Sequence, residues 1–81
     1  MIYDLHWGPE LYKVYASLPL SARREFAAAL IDVQSVPMAH TQPYGHDDGT
    51  IRTLETGSVL AVLLISHTTL TVVPVQISCL E

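Results

Sequence analysis

The stretch TIRTLETGSVLAVLLISHTTLTVVPVQI, Thr50 to Ile77, decides the fold. It contains three runs rich in Val, Ile, Leu and Thr: Thr50 to Glu55, Val59 to Ser66 and Leu70 to Ile77. Thr56-Gly57-Ser58 and His67-Thr68-Thr69 separate them. Branched side chains suit a pleated surface, and separators this short favour antiparallel hairpins, so three sequential strands are predicted. From Thr56 to Leu80 there is no Asp, Glu, Lys or Arg, and Val59 to Ile65 is apolar at every position. The central strand is therefore apolar on both faces, whereas helices packed on one side cover only one of them. Each large aliphatic left uncovered forgoes about 1.5–3 kcal/mol of burial, so the second face predicts a sticky surface and a partner. The alternative is that the chain's own loops and termini enclose it. Pro74 lacks an N–H for a ladder, which predicts an edge position or a bulge in the last strand. The Val59–Ile65 run is far short of the ~20 apolar residues of a membrane-spanning helix, and no membrane span is expected.

Upstream, Pro37 to Gly49 mixes Pro, Gly, Asp and His without a sustained period and reads as a loop closed by an Asp48-Gly49 turn. Before it, Ala22, Phe26, Ala29, Leu30 and Val33 fall on one stripe of a helix. That helix is expected to be capped by Ser21 and to run to about Ser35, where Pro37 stops it. A shorter helix is predicted from Pro9, at home in a first turn, to about Leu18, with Leu11, Tyr15 and Leu18 on one face. Ile2 to Trp7 alternates as a half-buried strand that ends at Gly8-Pro9. The expected architecture is α+β: a two-layer β-α-α-β-β-β domain over residues 1–81, with a helical hairpin on one face of a mainly antiparallel sheet.

Composition narrows the function. A chain of 81 residues with 49% hydrophobic and 15% charged residues collapses into one core. Its formal charge of -4 repels a polyanion, so any nucleic-acid role rests on a local patch. The single Cys79 forms no internal disulfide, and Asp4, His6 and Glu10 interrupt any secretory apolar region near Met1, so a cytoplasmic location is the expectation.

The sequence resembles the RelE/ParE superfamily of bacterial toxins from type II toxin-antitoxin systems. The resemblance is carried by a first strand ending in Trp7, Ser17-Leu18-Pro19 between the helices, Ala22-Arg23-Arg24 on the second helix and Pro37 after it. Ile51-Arg52-Thr53-Leu54-Glu55-Thr56-Gly57 then leads into an apolar strand. The resemblance implies a first strand beside the last, helices on one face, and a cognate antitoxin wrapped over exposed surface. It also implies one of two activities: cleavage of messenger RNA in the ribosomal A site, or inhibition of DNA gyrase without chemistry. Family members usually carry Asp-Tyr-Arg where this chain has Ser58-Val59-Leu60, and a basic residue in the tail where it reads Gln76-Ile77-Ser78-Cys79-Leu80-Glu81. Arg52 alone matches by position.

RNA cleavage of this type needs a base for the 2′-OH, an acid for the leaving oxygen and cations for charge on phosphorus. The candidate set is Arg52, His46 and Tyr44, with Arg23 and Arg24 as RNA or ribosome contacts. Each has a plainer reading: His40 and His46 as polar loop residues, Arg52 paired with Glu55 or Asp48, and Arg23-Arg24 as a solvated helix face. Trp7 and Tyr12 read as core or core-edge residues, and His67 as a turn residue. Adjacent carboxylates such as Asp47-Asp48 diverge and usually just solvate a turn, so neither metal nor cofactor is assigned. The expected function is a toxin component, as a weak or degenerate ribosome-dependent mRNA interferase. The alternatives are an inactive toxin-fold binding module, forming a dimer through the apolar sheet or a heterocomplex, and a gyrase inhibitor.

Overall fold

The computed structural model describes residues 2–45 and 49–80. Its elements are β1 (Asp4–Leu5), α1 (Pro9–Ala16), α2 (Leu20–Ser35), a 3-10 turn (Pro37–Ala39), β2 (Gln42–Pro43), β3 (Ile51–Glu55), β4 (Val59–Ser66) and β5 (Thr71–Cys79). The sheet order is β1-β5-β4-β3-β2. Every neighbour is antiparallel except β1, which lies parallel to β5. This is the α+β arrangement read from the sequence, with β2 as an added short strand in the segment expected to be loop.

Local chemistry sets the turns. At the β3–β4 hairpin the Thr56 N–H donates to Val59 O at 2.8 Å, and the Val59 N–H donates to the Thr56 hydroxyl at 3.1 Å. At the β4–β5 hairpin Leu70 sits at φ 54, a left-handed conformation that costs a residue with a Cβ about 1–2 kcal/mol. That twist aims the Leu70 carbonyl at β1, where it accepts the Asp4 N–H at 2.8 Å. Pro74 meets both of its expected conditions. The register shifts so that Val62 pairs with Gln76 but Leu63 pairs with Pro74, leaving Val75 as the extra residue of a bulge. β1 pairs only with Thr71 and Val72, so Pro74 also lies where that side of β5 has no neighbouring strand.

Several boundaries depart from expectation. Ser21 does not cap α2: the helix begins at Leu20, with Pro19 as the extended residue before it and no side-chain cap. α1 stops at Ala16, two residues early, where the Ser17 hydroxyl donates to Val14 O. β1 is two residues long because β5 begins only at Thr71 and because Tyr3 turns instead to α2. There the Tyr3 N–H donates to Gln34 O and Gln34 Nε2 donates to Tyr3 O, both at 2.8 Å.

Strand alternation divides the sheet into two unlike faces. On one, Leu54, Val59, Ala61, Leu63, Ile65 and Val72 are buried against Leu18, Ala22, Phe26, Leu30 and Val33. Leu18 lies between the two helices, the other four are four of the five positions in the predicted stripe of α2, and Ala29 packs at its border. The other face is covered by no described element. Ile51, Leu64 and Val73 stand in direct register across it, followed by Thr53, Val62 and Gln76, then by Glu55, Leu60 and Ser78. Ile51 and Leu64 are each 39% exposed. The one-sided sheet expected from the charge-free segment is what the chain builds. No described helix is long and apolar enough to cross a membrane.

Candidate functional site

Arg52 occupies the covered face of β3, in register with Leu63 and 5% exposed. It neither points outward to meet a phosphate nor pairs with Glu55, which alternation places on the opposite, open face. Its Nε donates to the Thr41 hydroxyl at 3.0 Å, and Nη2 donates to Thr41 O at 2.9 Å. The Thr41 hydroxyl in turn donates to Pro37 O at 2.7 Å, and Thr41 is itself only 3% exposed. The guanidinium thus lashes the segment after α2 to the end of the core, where an unmatched buried charge would be costly. Asp48, the other expected partner, lies outside the described residues.

The clasp leads directly to the remaining candidates. Pro43 pairs with Arg52, and the next residue, Tyr44, donates its N–H to Ile51 O at 3.4 Å. Tyr44 is half exposed at the outer edge of the sheet. Tyr44 and Arg52 are therefore near neighbours along the β2–β3 pair, while the two side chains differ sharply in access to solvent. His46 lies outside the described residues, as does Asp47. His40 is exposed at the end of the 3-10 turn. Of the helix cations, Arg23 Nη1 donates to Ala16 O at 3.2 Å, satisfying a terminal carbonyl of α1, whereas Arg24 is exposed. His67 bridges Tyr3 and Gly49, with Nδ1 2.9 Å from the Tyr3 hydroxyl and Nε2 2.9 Å from Gly49 O. Both contacts are met if Nε2 carries the proton, and they make His67 a strut between the β4–β5 turn, β1 and the start of β3. No group of three or more His, Cys, Asp or Glu suited to a metal occurs among the described residues.

A second feature lies on the helix side, beside β1. Leu5 and Trp7, Tyr12 and Tyr15 of α1, and Ala27, Leu30, Ile31 and Gln34 of α2 line an open apolar cleft of about 310 Å³. Trp7 anchors its aromatic wall, 4.9 Å from Tyr15 and 5.8 Å from Tyr12 between ring centroids, the latter edge-on. Tyr12 is 51% and Ile31 66% exposed. Trp7 borders the core as expected, whereas Tyr12 is half exposed and packs on Trp7 and Tyr15; both also face this cleft. Thr41 and the cleft were both absent from the sequence reading. Thr41 carries no periodic signal, and the cleft joins positions from three elements whose packing only the tertiary structure sets.

No protein-family model matches the sequence, and no curated protein is similar to it. Solved structures do match. The RelBE2 toxin-antitoxin complex of Mycobacterium tuberculosis aligns with 98% of this chain and 92% of its own, at a TM-score of 0.81 and 14% identity. A double mutant of the Escherichia coli toxin RelE in the free state gives 0.79 at 17% identity, over 96% of this chain and 83% of that one. The same mutant bound to an antitoxin RelBc peptide gives 0.76 at 19% identity, over 100% and 86%. Identities this low speak for backbone architecture alone. Taken with the strand order, the parallel β1 and the helices on one face, they show that this chain has the RelE toxin fold.

Proposed function

We propose that this chain is the toxin-fold member of a toxin-antitoxin pair and that its main interaction is with a protein, the cognate antitoxin. The observation that carries the reading is the one-sided sheet: a row of exposed Ile51 and Leu64 and half-buried Val73, in register, on a chain with a net charge of -4. An apolar surface of this kind gains from a protein partner and offers a polyanion no counter-charge. Two of the structurally similar proteins are complexes with antitoxins, which supports the same reading. The test is co-expression, in the cytoplasm of a bacterial host, with the product of the adjacent reading frame. Growth arrest by the chain alone, relieved by the neighbour and accompanied by a purified 1:1 or higher-order complex, is the expected result. A non-toxic chain that stays monomeric and unbound in light scattering with that product overturns it. A homodimer through the sheet is the competing outcome.

The second reading is ribosome-dependent cleavage of messenger RNA, favoured by the placement of Tyr44 beside Arg52 on the β2–β3 pair. In it, Tyr44 and His46 move protons and Arg52 supplies positive potential from behind the sheet, since its own donors reach Thr41. Arg23 and Arg24 contact RNA. The inactive binding module differs by a simple measurement: translating ribosomes given the chain show intact message. Gyrase inhibition is separated by a supercoiling assay with purified gyrase.

A further inference from the structure

The open face of the sheet has matching chemistry on the two sides of its middle strand. β4 lies at the centre of the order β1-β5-β4-β3-β2, with β3 on one flank and β5 on the other. Leu60, Val62 and Leu64 line the open face along β4. Beside them, row for row, β3 presents Glu55, Thr53 and Ile51, and β5 presents Ser78, Gln76 and Val73. Thr53, Gln76 and Ser78 carry hydroxyl or amide groups, which both donate and accept hydrogen bonds. Groups of that kind satisfy copies of themselves, as aliphatic side chains do, whereas charges of one sign repel. None of these rows holds a Lys or Arg, and the carboxylates lie at opposite corners, Glu55 at the end of β3 and Asp4 beside Thr71.

We propose that, when no antitoxin is present, two copies of this chain pair through this face about a two-fold axis along β4, and so mask themselves. The axis sets Leu60, Val62 and Leu64 against their own counterparts and exchanges β3 with β5. Ile51 then lies over Val73 of the partner subunit, Thr53 over the partner's Gln76, and Glu55 over the partner's Ser78, whose hydroxyl can donate to the carboxylate. Charge selects this occupant. A second copy brings the same neutral centre, whereas RNA finds no cation in these rows and a basic peptide finds carboxylates only at the corners. Area sets the strength: five strands ~4.8 Å apart and about six residues at ~3.3 Å each make a face of about 24 by 20 Å, so a pair covers ~1,000 Å². Specific interfaces begin near that size and stable ones bury about 1,200–2,000 Å², which makes this dimer weak and reversible. Tyr44 donates its N–H to Ile51 O and continues the antiparallel register beside it, so pairing also covers Tyr44 and withholds it from RNA. The inference rests on the reading that this face takes a protein, and it names the occupant of the unpartnered chain.

The test is analytical sedimentation of the purified full chain from about 1 µM to about 1 mM. The weight-average mass is expected to rise from 8.9 kDa towards twice that value and no further, with a Kd inside the concentration range. Leu64→Glu sets two carboxylates against each other at the axis and is expected to weaken pairing about tenfold or more, with the circular dichroism unchanged. Ile31→Glu, exposed on the helix side, is expected to leave pairing as it was. Ile51→Glu and Val73→Lys test the axis itself. Each alone is expected to weaken pairing about tenfold or more, and an equal mixture to recover it, because the mixed pair gains one Glu–Lys contact and keeps one Ile51–Val73 contact. Thr53→Glu with Gln76→Lys, one row along, is expected to behave in the same way and serves if Val73→Lys does not fold. A mass that stays at 8.9 kDa up to about 1 mM overturns the pairing, as do growth beyond a dimer, sensitivity to Ile31→Glu in place of Leu64→Glu, and mixtures that do not recover. If the chain stays monomeric while the adjacent gene product still binds it, the toxin-antitoxin reading stands and only the self-pairing falls. A dimer that persists against an excess of that product leaves the pairing standing and removes the antitoxin from this face.

Discussion

Replacing Thr41 by valine tests whether Arg52 is a clasp. The substitution keeps the shape of the side chain and removes one oxygen that takes part in two bonds, donating to Pro37 O at 2.7 Å and accepting from Arg52 Nε at 3.0 Å. A neutral hydrogen bond contributes about 0.5–1.5 kcal/mol and one involving a charged group about 1.5–3 kcal/mol, so the loss is expected to be about 2–4 kcal/mol. Arg52 makes contacts beyond this pair, which keeps the figure below the cost of stranding the whole guanidinium. Against a typical stability of ~0.05–0.15 kcal/mol per residue, or about 4–12 kcal/mol for 81 residues, that is a large share. At about 4–8 °C per kcal/mol for a domain of this size, the midpoint of thermal unfolding is expected to fall by about 10–30 °C. Urea denaturation followed by circular dichroism gives the free energy, and Thr41→Ser is the control, since it retains the oxygen and should cost less than about 1 kcal/mol. A loss below about 0.5 kcal/mol for Thr41→Val, or equal losses for valine and serine, refutes the clasp.

Phe26 is fully buried at the centre of the helix–sheet contact, so Phe26→Ala is expected to cost about 3–5 kcal/mol in urea denaturation; less than 1 kcal/mol would mean that the core is centred elsewhere. Leu64→Glu should reduce binding of a hydrophobic dye and disrupt co-purification with the adjacent gene product, while changing stability by less than about 1 kcal/mol; an unaltered complex would remove the open sheet face from the interface. Tyr3→Phe deletes the hydroxyl bonded to His67 at an exposed site, and about 0.5–1 kcal/mol is expected; adding His67→Ala, which also removes the contact to Gly49 O, should cost less than the sum of the two single losses. Fully additive losses would show that the two side chains do not work as a pair.

The strands were legible because their signals are local. Val59–Ser66 appears with the limits read from the sequence, and Pro74 could be placed at an edge or bulge because a missing N–H has the same consequence in any fold. The helix stripe was legible for the same reason. Arg52 was not. An arginine among alternating strand residues ordinarily reads outward, and Thr41, eleven positions away in a stretch without period, supplies acceptors that help to hold an inward guanidinium. The start of α2 misled in another way: Ser21 has the right chemistry for a cap, but Pro19 already fixes the extended backbone there, two residues earlier than a serine cap at position 21 requires. Of the candidate site, the closeness of Tyr44 and Arg52 followed from their flanking a turn region, whereas the apolar cleft joins β1 to both helices and has no trace in any single segment.

The bulge at Val75 has a consequence for how this chain behaves when many copies are made at once. Beyond Val72 one side of β5 has no neighbouring strand, and a flat, regular edge there would let molecules line up side by side, each offering its neighbour the same row of amides. Here the ring of Pro74 removes one donor from that row and the additional residue throws the rest out of step, so ordered lateral growth along β5 is obstructed. The apolar open face of the sheet therefore sits beside a stretch of β5 that is itself a poor template for strand-on-strand stacking.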